Sequence, residues 1–83
     1  MVLKNQKAIE KRERCIASYS SNSKLKAVKR WKVRMVKAGV AAKTIAHDIG
    51  IPAPHLSDYM SFLYEPPEER FMAVEEALYK RGA

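Results

Sequence analysis

The sequence has one cysteine, Cys15, and two histidines, His47 and His55, the residue types most often found as metal ligands or catalytic groups. A tetrahedral metal site needs further ligands, which neither Cys15 nor the scattered acidic residues supply at a suitable spacing. The sequence has no nucleophile beside a base, no glycine-rich phosphate loop and no paired catalytic carboxylates. We therefore expect no enzyme activity, no metal site and no cofactor, and we interpret Cys15 as a small apolar residue of a helix.

The composition favours ionic chemistry instead. The 83 residues include 16 Lys and Arg and 9 Asp and Glu, which gives a formal net charge of +7. Residues 1–43 hold 13 of the cations and 2 acids, whereas residues 44–83 hold 3 cations and 7 acids. This asymmetry predicts an oriented electrostatic surface, although lysines also serve simply to keep a small protein soluble.

Four of these cations are predicted to share one side of a helix over residues 24–38. The apolar residues of this segment fall on one helical arc, and they are Leu25, Val28, Trp31, Met35 and Val36. The cations on the opposite side are Lys26, Arg30, Arg34 and Lys37. Like charges at this spacing repel by a few tenths of a kcal/mol in an isolated helix, so the row becomes favourable beside an anionic partner. The alternative is a face that is simply solvated.

The elements around this helix are also predicted to be helical. The spacing of apolar residues predicts a first helix from Asn5 to about Ser18, followed by a polar break that ends at Ser23, a suitable N-cap. A last helix is predicted from Pro67 to about Lys80. No segment alternates with a period of two. We expect an all-α fold, a compact bundle of four to five short helices, with a basic helix or arm and hinge at 1–23 and the remaining domain at 24–83.

Residues 42–61 carry the most specific pattern in the chain. Ile45 and Ile49 stand four residues apart, and Leu56 and Tyr59 stand three apart, so each pair lies on one face of a short helix. Ala46 is small enough to allow the two helices to cross closely.

The junction between these two short helices is predicted to be a tight turn. Gly50 suits the left-handed backbone that ends a helix, and Ile51 fills the corner. Pro52 and Pro54 prevent the first helix from continuing and suit the first turn of the second. The pattern predicts a helix-turn-helix.

This stretch resembles the helix-turn-helix of the lambda-repressor and Cro-like family of prokaryotic and phage regulators. The resemblance extends from Lys24 to Tyr79 and leaves residues 1–23 outside. The residues that carry it are Gly39-Val40-Ala41-Ala42, Ile45-Ala46, Ile49-Gly50-Ile51, Leu56-Ser57 and Ala77-Leu78.

The resemblance implies that the second helix of the motif lies in the major groove of double-stranded DNA, while the first crosses the backbone. The implied base-facing residues are Pro52, Ala53, Pro54, Ser57, Asp58 and Ser61. The expected phosphate-facing residues are Lys43 and Thr44, His55 at the rim, and the row Lys26, Arg30, Arg34 and Lys37.

The sequence departs from the family pattern in two places. The second helix of the motif has no Arg, Lys, Asn or Gln, the usual readers of bases, and Asp58 has an alternative interpretation as the partner of a nearby cation. Ala41 stands where the family commonly has a capping Ser or Thr, so the first helix is expected to be weakly capped. Affinity for DNA must then come partly from elsewhere. The basic N-terminal segment either reaches the flanking DNA or mediates dimerisation through Ile9 and Ile16.

The resemblance as a whole implies a sequence-specific transcriptional regulator, a small Cro-like repressor that binds a palindromic operator as a homodimer. Two alternatives stay open: a protein-interaction adaptor or antirepressor that keeps the fold, and a DNA-bending architectural or excision factor. No membrane partner and no small-molecule ligand are expected. We expect the protein in the cytoplasm, associated with the nucleoid, or in the host cytoplasm if a phage encodes it.

Overall fold

A computed structural model describes residues 6–83 of the chain, with side chains from Ile9 onward. The start of the first helix predicted at Asn5, and the basic side chains of Lys4 and Lys7, lie outside the described part. The described part contains five α-helices and no strand, which confirms the all-α expectation. The helices are α1 (Gln6–Ala17), α2 (Asn22–Ala38), α3 (Ala42–Ile49), α4 (Ala53–Met60) and α5 (Glu68–Lys80).

The core forms where α2, α3, α4 and α5 meet. Its buried apolar residues are Val28, Trp31, Met35, Ile45, Ala46, Leu56, Tyr59, Phe62, Val74, Ala77 and Leu78. The helix α3 packs against both α4 and α5, and α2 packs against α4. Most of the apolar arc predicted on α2 is therefore buried. Val36 is the exception, with 72% of its surface exposed, because it lies at the far edge of that arc from Trp31.

The start of α2 differs from the prediction. The N-cap is Ser21 rather than Ser23, and its hydroxyl accepts a hydrogen bond from the Lys24 amide at 3.3 Å. The Lys24 side chain is buried, and its Nζ lies 3.0 Å from Glu65 Oε2 and 3.7 Å from Glu68 Oε2. With α2 beginning at Asn22, Lys24 is the third residue of the helix, and its side chain reaches both carboxylates.

The helix α1 is attached to the loop between α4 and α5. Ile16 and Tyr19 pack partly buried against the core. The Ser20 hydroxyl donates to Glu65 Oε2 at 2.7 Å, and Lys11 Nζ donates to the Tyr64 hydroxyl at 2.9 Å. Because Ile16 is used within its own chain, only Ile9 of the two predicted dimerisation residues stays largely exposed.

Candidate nucleic-acid interface

The turn between α3 and α4 has the geometry that the sequence predicts. Gly50 ends α3 with φ 74° and ψ 33°, in the left-handed region. Its amide donates to the His47 carbonyl at 3.2 Å, and the Ile51 amide donates to the Ala46 carbonyl at 3.0 Å. Pro52 is the N-cap of α4. Since Ala46 and Leu56 are fully buried, the two helices present their other sides to solvent as one rigid unit.

The outward side of α4 carries most of the implied base-facing residues. Pro52, Pro54, Ser57 and Ser61 are exposed, and so is His55 at one edge. Ala53 is half-buried and packs against the core, so its methyl group is turned partly away from this surface. The exposed surface of α4 therefore offers two hydroxyls and two proline rings, and apart from the imidazole of His55 it carries no basic side chain.

Asp58 lies on this side of α4 but is half-buried. It lines a groove together with His55, Tyr64, Glu65 and Arg70. Within the described residues Asp58 takes part in none of the ion pairs, so the alternative interpretation as a paired residue gains no support. Arg70 donates instead to the Tyr59 hydroxyl at 2.8 Å.

The start of α3 lies next to α4. Ala41 is its N-cap and provides no side-chain hydrogen bond, which confirms the expected weak cap. Lys43 is exposed and Thr44 is half-buried. An uncapped first turn leaves backbone N–H groups available to an anion, and the positive end of the helix dipole favours one there.

A second groove joins the outward side of α4 to α2. It is lined by Lys32 and Val36 of α2, by Ala41 and Ala42 at the start of α3, and by Ser57, Met60 and Ser61 of α4. Lys32 is exposed and stands on the rim beside the two serines. Lys32 was not among the predicted phosphate-facing residues, because only cations with a common spacing were expected to share one side of α2. Its place one turn before Val36, on the side of α2 that turns toward α4, was the available signal.

The predicted row on α2 is divided in the structure. Lys26, Arg30 and Lys37 are exposed, but they do not line the groove beside α4. At 100° per residue, Lys26 lies about 120° around the helix from Lys32. The structure therefore does not bring these three cations together with the base-facing residues.

Arg34, the fourth member of the row, is used inside the chain. Its Nη1 donates to Glu75 Oε2 at 2.8 Å, and its Nη2 donates to the Ala83 carbonyl at 3.0 Å. Glu75 Oε1 also accepts from Trp31 Nε1 at 2.9 Å. The assignment of Arg34 as a phosphate contact is therefore not retained, because its guanidinium faces α5.

Two further groups with shifted pKa values, Cys15 and Asp48, lie in contacts that stabilise the fold and not beside the α4 surface. Burial raises the pKa of the Cys15 thiol, so the thiol is protonated at neutral pH. The bidentate hydrogen bond from Arg81 lowers the pKa of Asp48, and it ties the end of α5 to α3. In the described residues no cluster of His, Cys, Asp and Glu is arranged to hold a metal ion, and no helix is long and apolar enough to cross a membrane.

Comparison of the chain with family models, with curated proteins and with solved structures gave no match. Function is therefore inferred from the geometry of α2, α3 and α4 and from the resemblance of the sequence.

Proposed function

We propose that this protein is a small sequence-specific regulator of transcription that binds double-stranded DNA as a homodimer. The observation that carries the proposal is the α3–α4 unit, in which a tight glycine turn presents an exposed helix face, with Lys32 on the rim of the adjoining groove and Lys43 exposed in the first turn of α3. A helix presented in this way fits the major groove, with the preceding helix across the backbone.

Base contact and phosphate contact are divided between different residues in this proposal. Ser57 and Ser61 hydrogen-bond to base edges, and Pro54 contacts a thymine methyl group. Lys32 at the rim of the groove beside α4 and Lys43 in the first turn of α3 bind phosphates, and that turn adds backbone N–H groups. A hydroxyl can hydrogen-bond to several bases, so each α4 distinguishes one base pair from another only modestly. Specific binding therefore needs two copies on a palindrome.

The proposed biological effect is repression. A dimer bound at a promoter covers DNA that the transcription machinery needs, so occupancy alone reduces transcription. The protein then acts where the chromosome is, in the cytoplasm at the nucleoid, or in the host cytoplasm if a phage encodes it.

The test begins with selection of bound duplexes from random DNA, which reports preferred sequence, symmetry and half-site spacing. Fluorescence anisotropy on the selected duplex and on a random duplex then follows binding over a range of salt concentrations. Lys32→Ala and Lys43→Ala should weaken binding to both duplexes and should reduce the salt slope by about one for each phosphate contact removed. Ser57→Ala should change the preferred sequence and leave the slope unchanged.

Lys80→Ala is the matched control, since it removes the same charge from α5, where Lys80 pairs with Glu76 at 3.1 Å. It should leave both duplexes bound as before. Equal affinity for selected and random DNA at every salt concentration would overturn the specific-regulator proposal.

A protein-interaction adaptor with this fold is the second candidate. It is favoured by one observation: the exposed face of α4 has no Arg, Lys, Asn or Gln. Complete absence of DNA binding at low salt, where phosphate contacts are strongest, is the result that would favour the adaptor.

A further inference from the structure

The helices α2 and α5 lie side by side and run in the same direction. Lys24 near the start of α2 reaches Glu68 at the start of α5, 3.7 Å away. Further along, the ring of Trp31 stacks on Phe71 with centroids 5.7 Å apart. Arg34 then meets Glu75 at 2.8 Å. These contacts advance in the same direction along both helices, so they fix the relative heights of α2 and α5 to about one helical turn.

The line of contact between α2 and α5 is called the seam. On its solvent side α2 carries cations and α5 carries acids. On α2 the exposed cations Lys26, Arg30 and Lys37 surround Val33, which is 51% exposed. None of these three cations belongs to an ion pair among the described residues.

The neighbouring face of α5 is acidic and apolar. Met72 and Tyr79 have 58% and 81% of their surfaces exposed. The carboxylates beside them, Glu68 and Glu76, have side chains 75% and 67% exposed, and within the chain they lie 3.7 Å from Lys24 and 3.1 Å from Lys80. Large apolar side chains exposed in line on one helix, within a charged rim, are typical of an interaction surface.

The arrangement of charge restricts how a second copy can dock on this surface. Placing α5 against α5 brings acids against acids, and placing α2 against α2 brings cations against cations, at a cost in either case. A two-fold axis that runs along the seam, parallel to both helices, instead places α2 of each copy against α5 of the other. The interface is then isologous, and each residue keeps its height along the axis, so residues at similar heights on α2 and α5 face each other across the interface.

We propose that the exposed faces of α2 and α5 form the homodimer interface of this protein. In this arrangement Lys26 lies near Glu68 of the second copy, Arg30 lies between its Met72 and Glu76, and Lys37 lies near its Tyr79. The inference depends on the homodimer of the proposed function. It assigns Lys26, Arg30 and Lys37 to protein contact rather than to phosphate contact, and it uses no residue of α4.

Sedimentation equilibrium without DNA, over a wide range of protein concentration and at low and high salt, tests the interface. The wild type should dimerise, and more weakly at high salt, because the charged rim is exposed. Arg30→Glu or Glu76→Arg alone should raise the dimer dissociation constant by about tenfold or more, since each places like charges together. The double variant should return toward the wild-type value, because the charges are exchanged.

Two controls keep the result specific. Glu69→Arg makes the same charge reversal on α5, but Glu69 lines the groove toward α3, so dimerisation should be unchanged. Tyr79→Asp should weaken the dimer without destabilising the monomer, because Tyr79 is 81% exposed. Circular dichroism of every variant shows whether the helices are retained.

A wild type that stays monomeric at every concentration overturns the interface, as does a double variant that is not rescued or a Glu69→Arg variant that is equally weakened. DNA binding, followed separately by anisotropy, distinguishes the two proposals. A protein that is monomeric without DNA but binds a selected palindromic duplex as two copies overturns the interface and leaves the regulator standing. A charge-sensitive dimer that binds no DNA supports the interface and overturns the regulator.

Discussion

Two turns bound α4, and they use the same hydrogen bonds with different residues. At the first turn Gly50 has φ 74°, and at the second Phe62 has φ 61°. The Phe62 amide donates to the Tyr59 carbonyl at 3.2 Å and the Leu63 amide donates to the Asp58 carbonyl at 3.0 Å, which matches the pattern around Gly50. Glycine adopts this backbone without steric cost, whereas a phenylalanine there loses about 1–2 kcal/mol.

The surroundings of the two residues explain the difference. At Gly50 no atom lies within 4 Å of the place that a Cβ would occupy. Phe62 is 6% exposed, its ring lies 6.4 Å from that of Tyr19, and the Arg12 guanidinium stands 5.5 Å from its centroid. Burial of a phenylalanine is worth about 1.5–3 kcal/mol, enough to offset the backbone strain. The start of α4 is therefore specified locally, and its end depends on contact with the N-terminal part of the chain.

The largest expected effect is at Phe62. Phe62→Ala removes the buried ring but keeps the side-chain clash of the left-handed backbone, so the free energy of unfolding should fall by about 3–5 kcal/mol. Phe62→Gly removes the same ring and also the strain, so it should be less destabilising than Phe62→Ala. Urea unfolding of both variants measures the order. If Phe62→Gly were more destabilising than Phe62→Ala, backbone strain at Phe62 would not be what distinguishes the two turns.

An intermediate effect is expected at Gly50. Gly50→Ala meets no neighbouring atom but must adopt φ 74°, so the loss should be about 1 kcal/mol. Gly39→Ala is the matched control, because Gly39 ends α2 at φ 68° and is equally open. Chemical unfolding should give similar losses for both. A loss at Gly50 several times that at Gly39 would contradict the view that this turn is specified locally.

The smallest expected effect concerns acid stability of the loop after Phe62. Burial opposes ionisation of Glu65, but hydrogen bonds from Ser20 and Lys24 outweigh it and lower its pKa. A lowered pKa means that the contribution of Glu65 to stability is complete above its unfolded pKa, about 4.3, and is lost as the pH falls through its folded pKa.

Glu65→Gln should therefore reduce stability at neutral pH and flatten the decline in stability below about pH 4.3. Thermal unfolding from pH 7 to pH 2.5 measures this difference. Phe62→Gly provides a comparison, since it changes the same loop but retains the carboxylate and should keep the steep decline. Parallel curves for wild type and Glu65→Gln would contradict the assigned role of Glu65.

Most of the helices could be predicted from the sequence, because their signals are local. Apolar spacing located α3 and α4, and Gly50 marked where α3 ends. The predicted core positions Ile45, Ala46 and Leu56 are all buried. The prediction was wrong at the start of α2, where three serines were available as N-caps and the local sequence did not distinguish Ser21 from Ser23.

The candidate site was predictable only in part. The outward side of α4 follows from helical periodicity, so the positions of Ser57 and Ser61 could be found. The partners of the cations could not, because Arg34 meets Glu75 and Lys32 meets the rim of α4 only after distant segments pack together. Membership of the lambda-repressor and Cro-like family stays a prediction from the sequence.

The sequence alone determined the approximate positions of the helices and the glycine turn before α4, because each depends on neighbours within one or two turns. It also determined the uneven distribution of charge, which is a matter of composition. The left-handed Phe62, the buried Lys24 and the division of the basic row depend on contacts between residues about 40 or more positions apart. Such contacts form only in the folded chain, where burial and ion pairing outweigh what each residue prefers alone.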